Sequence, residues 1–145
     1  KVNNMMIDKD GSILCVIDLD TVMPSYVFSD FGDFLRTAAN PVAEDSPETE
    51  KVDFDMEIFK AFSRGYIRGT KSFLTPLERQ CLPYAACLFP FMQAVRFFTD
   101  YINGDTYYRT DYPEHNLVRT RNQMKLFHSA LEKVPQMAEW IGSLS

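Results

Sequence analysis

Strand signals occur in one place in this chain, at its start. Two short apolar runs, residues 4–8 and 13–19, flank Asp8-Lys9-Asp10-Gly11-Ser12. Asp-Gly between hydrophobic runs predicts a β-hairpin. The second run is apolar throughout, which predicts a strand buried on both faces. Beyond Asp20 the periodicity turns helical and no further convincing strand follows. The expected fold is therefore α+β and mostly α: one N-terminal β-hairpin followed by a helical bundle, in one domain spanning residues 1–145.

The helices have readable starts and stops. Ser29-Asp30 predicts a cap for a short helix running to about Asn40, where Asn40-Pro41 ends it. Residues 41–53 are polar and acidic and read as a surface loop. A helix from about Asp53 to Arg68 places Phe54, Ile58, Phe62 and Tyr66 on one stripe, and Gly69 stops it. Thr75-Pro76-Leu77-Glu78 has the form of a capping box with proline at the first helical position. It opens a long apolar helix to about Ile102, kinked or broken at Pro90. Asn103-Gly104 ends it, and a Tyr-rich loop covers 104–114. A last helical stretch carries Leu117, Met124, Phe127, Leu131 and Val134 on one stripe. Pro135 interrupts it before a short amphipathic tail with Trp140.

A chain of 145 residues that is 46% hydrophobic, with 12 Phe and 7 Tyr, can bury a core and is not of disordered composition. Its net charge of −5 argues against nucleic acid or an anionic membrane as partner. The most apolar stretch, Leu82 to Phe98, contains Pro83, Pro90, Gln93 and Arg96, so it reads as a buried helix and not as a membrane span. Arg109, Arg119, Arg121 and Lys125 lie close in sequence; they read as a solvated helix face, with an anionic ligand as the alternative. Cys15, Cys81 and Cys87 are odd in number, lack metal-like spacing and sit among apolar residues. The expectation is reduced, buried thiols in a cytoplasmic protein. No signal peptide is visible.

The hairpin also carries the chemistry. It puts an amide, Asn4, at the start of one strand and a carboxylate, Asp18, at the end of the other. If the strands pair, the two converge. Magnesium takes oxygen ligands and keeps several waters, so one amide, one carboxylate and a nucleotide's phosphates satisfy it. The plainer reading is a strand cap and a turn residue.

The neighbouring residues carry a resemblance. Lys1-Val2-Asn3-Asn4, then Val16-Ile17-Asp18-Leu19-Asp20-Thr21-Val22-Met23-Pro24, then Ser29-Asp30-Phe31-Gly32-Asp33 resemble the catalytic core of the aminoglycoside phosphotransferase and choline kinase superfamily. In that superfamily a loop reading His-x-Asp-x-x-x-x-Asn precedes a metal-binding Asp on the next strand. The wording is closest to the N-acetylhexosamine 1-kinases, with Ser25 where those have glycine. The resemblance extends through Arg96-Phe97-Phe98-Thr99-Asp100-Tyr101 and Gly104-Asp105-Thr106-Tyr107-Tyr108. It implies a protein-kinase-like C-terminal lobe, with Asn4 and Asp18 holding Mg2+ and Asp30 as a structural Asp. It also implies that the catalytic-base Asp lies two residues before Lys1, and that the N-terminal lobe is absent as well. Lys1 would face the transferred phosphoryl group.

Further candidates follow from that resemblance and from residue chemistry. Arg96, a charge inside the most apolar helix, is either ion-paired to Asp100 one turn on or a fork of donors for substrate. Tyr107 or Tyr108 offers a hydroxyl or a stacking face, and Trp140 a platform for a sugar. Asp33 either pairs with Arg36 or binds sugar hydroxyls. His115 and His128 read as structural. Cys81-Leu82-Pro83-Tyr84-Ala85 lacks the arginine of a sulfatase signature. The implied function is part of an ATP- and Mg2+-dependent kinase acting on the anomeric hydroxyl of GlcNAc or GalNAc, the isolated fragment being inactive. Alternatives are a kinase for choline, an aminoglycoside or another small alcohol, or a non-catalytic kinase-like binding lobe.

Overall fold

The hairpin forms, in a computed structural model that describes residues 2–20 and 22–144. Strands β1 (Met5–Ile7) and β2 (Ile13–Val16) pair antiparallel, Met5 opposite Val16 and Met6 opposite Cys15. Ile7 then faces Ile13, so Leu14 is an extra residue on β2, a bulge beside the turn. Gly11 supplies the turn's left-handed residue at φ +86°, which a side chain adopts only under strain. Asp10 closes the turn by accepting from the Ser12 hydroxyl at 2.7 Å and the Ser12 N–H at 2.9 Å. The Ser12 hydroxyl bond is the main cause that holds the Asp10 carboxyl below its ordinary range.

The expected burial of the second strand is overturned. All four residues of β2 are exposed, Ile13 and Leu14 by 63% and 58%. Cys15 is exposed with them, while Cys81 is half-buried and Cys87 buried. Apolar content marks a strand as able to be covered; here the helices bury their faces on one another and leave the sheet open.

Six α-helices follow among the described residues: α1 (Phe28–Ala38), α2 (Met56–Thr70), α3 (Pro76–Gln80), α4 (Leu82–Ile102), α5 (His115–Glu132) and α6 (Val134–Ser143). The fold is thus mostly helical with a two-stranded antiparallel sheet. Helix α4 is central. Both α1 and α5 lie along it, and α6 closes on α2, α3, α4 and α5. Phe31 and Leu35 of α1, Phe59 of α2, Leu82 and Ala85 of α4, Leu126 of α5 and Met137 of α6 are completely buried together. Gly32 lets α1 approach α4: a Cβ there would lie 2.3 Å from Phe89 Cδ2 and 2.6 Å from the Ala85 carbonyl.

Several boundaries move. Ser29-Asp30 does not cap α1, which starts one residue earlier after Val27 with no side-chain cap; Ser29 Oγ meets Ser25 Oγ instead. Asp55 caps α2, accepting from Glu57 N and Ile58 N, so the core face is Phe59, Ser63 and Ile67. Ile58 is turned outward, and Gly69 lies inside the helix. The Thr75 capping box is present but opens only the short α3; the chain breaks at Cys81, and Pro90 lies inside an unbroken α4. On α5 the buried face is not the apolar stripe. It carries Asn116, Asn122, Gln123, Leu126, Ser129 and Ala130, whereas Leu131 is half exposed. Asn122 explains the difference: its Nδ2 donates to the Ala43 carbonyl at 3.0 Å, and its Oδ1 accepts from Asn40 at 3.0 Å. A satisfied amide is stable in a core, and a hydrophobic stripe cannot reveal it. No described helix is long and apolar enough to cross a membrane.

Candidate functional site

Asn4 ends a 3-10 turn (Val2–Asn4) that runs directly into β1. The hairpin's pairing continues one step past β2, the Ile17 N–H donating to the Asn4 carbonyl at 2.8 Å. In an extended strand the next residue would point to the opposite face. Asp18 instead takes φ +63°, a left-handed conformation costly for a residue with a Cβ. Its carboxylate is brought to the Asn4 amide, and Asn4 Nδ2 donates to Asp18 Oδ2 at 2.9 Å. The expected convergence is therefore present, made by a backbone kink as well as by strand pairing. Asp18 is exposed and Asn4 half-buried, so the pair opens to solvent.

Among the described residues no group of three or more His, Cys, Asp or Glu side chains is placed to hold a metal ion. One carboxylate and one amide oxygen nevertheless fit magnesium, which takes most of its ligands from water and phosphate. Lys1, expected beside the transferred phosphoryl group, lies outside the described residues.

A second grouping forms at the α4–α5 connection. The alternative of an Arg96–Asp100 ion pair is overturned. Arg96 is exposed, its guanidinium carbon 5.6 Å from the Tyr108 ring centre and 6.0 Å from that of Tyr107. Asp100 is buried and turned the other way. It accepts the N–H groups of Thr106, Tyr107 and Tyr108 at 3.0, 2.8 and 2.9 Å, and Asn116 Nδ2 at 2.9 Å. Burial acts to raise its pKa, but these donors outweigh it and leave the carboxyl below the ordinary range. The Tyr-rich loop is thereby shaped around one carboxylate, with Tyr107 72% exposed at its surface. Sequence reasoning missed this clamp; its signal was a lone Asp near the end of an apolar helix, followed by Asn-Gly.

The other candidates have partners of their own. Asp33 accepts from Arg36 Nε at 2.9 Å, and Arg36 is buried and also bonded to Glu44. Local pairing, the first of the two readings of Asp33, is present. Asp30 sits exposed in the first turn of α1. Tyr66, whose hydroxyl donates to the Val27 carbonyl at 3.1 Å, has its pKa raised mainly by burial and secondarily by the Asp30 charge. Trp140 lies on the α2–α6 seam, its Nε1 donating to Ser63 Oγ at 3.0 Å with Arg64 over the ring at 5.1 Å. The basic cluster disperses. Arg119 donates to the Arg109 carbonyl at 3.1 Å and lies over Phe97, while the Arg109 side chain is 92% exposed. His115 is buried, its Nδ1 accepting the Asp111 N–H at 3.2 Å. No protein-family model matches the chain.

Proposed function

We propose that this chain belongs to the C-terminal lobe of a kinase-like phosphotransferase that uses ATP and Mg2+. The observation that carries the reading is the Asn4–Asp18 pair, closed by a left-handed Asp18. Strained conformations persist where a surrounding constraint fixes them, and they cluster at functional sites. Magnesium bound there would neutralise charge on the nucleotide's phosphates. The protein's own part is to hold one amide and one carboxylate together at the mouth of a short hairpin that opens to solvent. On the resemblance above, the proton-accepting Asp lies upstream of Lys1, and Lys1 offsets charge on the transferred group.

The particular acceptor we infer is the anomeric hydroxyl of an N-acetylhexosamine. Arg96 and Tyr107 support this, one presenting planar donors and the other a ring face on the same surface. A choline acceptor requires an aromatic cage for a quaternary ammonium. Here the Arg96 cation already lies over both tyrosine rings, which disfavours a second cation. Trp140 and Asp33 would join the substrate site only by leaving Ser63 and Arg36. The deciding experiment assays the full-length parent with ATP and magnesium against N-acetylhexosamines, choline and aminoglycosides. Phosphorylation of GlcNAc or GalNAc at the anomeric oxygen is the expected result; transfer to choline or an aminoglycoside alone would overturn the acceptor assignment.

A further inference from the structure

Four cations converge on a cleft that the hairpin site does not touch. Arg64, Arg68 and Lys71 come from one face of α2 and the residue that ends it, at i, i+4 and i+7, and Arg79 comes from α3. The cleft holds about 380 Å3 and has Ile67 and Leu74 as apolar lining. None of the four cations forms an ion pair with an acidic side chain among the described residues, although the chain has 20 acidic residues and a net charge of −5.

Helix energetics does not explain this arrangement. Like charges four residues apart on a helix repel. The helix dipole favours cations in the last turn, which covers Arg68 and Lys71. It does not cover Arg64, more than a turn further in, or Arg79, which another helix supplies. Arg79 is held in place, its Nη2 donating to the Ile141 carbonyl at 3.0 Å. The Arg64 guanidinium carbon lies over the Trp140 ring, 5.1 Å from its centre, a contact that uses none of its N–H donors on an acidic side chain. Beside this cleft lies a second, of about 540 Å3, sharing Leu74, Arg79 and Leu144 with the first and bordered by Pro76 and Ile141. A cationic chamber thus adjoins an apolar one.

We propose that the α2–α3–α6 cleft binds a small organic phosphate, the phosphate among Arg64, Arg68, Lys71 and Arg79 and an apolar substituent along Leu74 and Leu144. Guanidinium forks match phosphate oxygens two at a time, and several cations suit a doubly charged group better than a carboxylate. The inference stands apart from the Asn4–Asp18 reading and survives its failure.

The test titrates the 145-residue chain with phenyl phosphate, inorganic phosphate and benzoate at constant ionic strength, following backbone amide shifts by NMR. Expected are saturable shifts confined to residues 64–79 and 141–144, with phenyl phosphate tightest and benzoate weakest. Arg68→Gln with Lys71→Gln should weaken phenyl phosphate roughly tenfold or more, since two charge-assisted bonds are lost. Asp18→Asn should leave that affinity unchanged. Should the double variant fail to fold, Arg64→Gln alone, at an exposed position, makes the same comparison. Non-saturating shifts, equal binding of benzoate, or unchanged affinity in the cation variants would overturn the proposal.

Discussion

Asn4 and Asp18 meet through a 2.9 Å hydrogen bond across fourteen residues of chain, and Asp18 adopts φ +63° to make it. That pairing separates a functional from a structural role. Asp18→Gly removes the strain of a left-handed Cβ residue, and is expected to change stability by no more than about 1 kcal/mol. Asp18→Asn tolerates the same backbone. If the proposed phosphotransfer is correct, both should lower its kcat at least about a hundredfold with Tm nearly unchanged, because the proposed charged ligand is gone. A kcat within tenfold of the unsubstituted protein would overturn the proposed metal role of Asp18.

Gly32 tests the approach of α1 to α4. A methyl there must displace the Phe89 ring and the Ala85 carbonyl, and backbone yields little. Gly32→Ala is expected to cost about 1–3 kcal/mol in urea unfolding. Gly65, whose surroundings are open, is the control. Gly65→Ala should be neutral or slightly stabilising, since it sits within α2.

The thiols should separate by reactivity. Burial pushes the Cys87 pKa up to about 11, so little of it is thiolate at pH 8. Cys15 is exposed. Titration with a chromogenic disulfide at pH 8 should show one fast thiol, lost in Cys15→Ser, and a Cys87 that reacts only after unfolding.

Acid should loosen two ties. Asp53 is held below its ordinary pKa chiefly by Lys133, then by Ser129, and Asp100 by the donors of the Tyr loop. A depressed carboxylate contributes stability that is complete above its unfolded pKa, near about 4, and is lost as pH falls through the lower folded value. Tm should therefore be insensitive to these groups at neutral pH and fall below about pH 4. Asp53→Asn should flatten part of that fall; an unchanged slope would show that Asp53 is not linked to folding.

Asp100→Asn should release the 104–114 loop without unfolding the bundle, because the amide keeps two of its roles but can no longer accept every N–H through charged oxygens. Trypsin cleavage after the exposed Arg109 is the readout. Faster cleavage there, with cleavage at Lys51 unchanged, is the expected pattern.

Local grammar was legible and tertiary choice was not. The Asp10-Gly11 turn, the Thr75–Glu78 capping box and the Asn4–Asp18 convergence follow from rules acting over a few residues or one strand pairing. Pro90 deceived because a buried helix can absorb one missing backbone donor, while the break at Cys81 is marked by Pro83 in the first turn of α4, a start signal that the apolar run around it obscures. Burial on α5 deceived because Asn116, Asn122 and Gln123 lie in the core: Asn122 donates to the Ala43 carbonyl far away in sequence, Asn116 to Asp100 and Asp105, and Gln123 Nε2 to the neighbouring Asn122. Arg96 and Asp100 read as a helical pair, but Asp100 instead accepts three backbone N–H groups of the adjoining loop and one amide N–H from Asn116.

The uncovered hairpin has a consequence for how the chain behaves among copies of itself. A two-stranded sheet is all edge: each strand has one side whose backbone N–H and C=O groups have no neighbouring strand. Here those edges carry Met6, Ile7, Ile13 and Val16 open to water. The same residues that position an amide–carboxylate pair at the hairpin's mouth make its flanks adhesive. A lysine at the bulged Leu14 would keep the pair and blunt the edge.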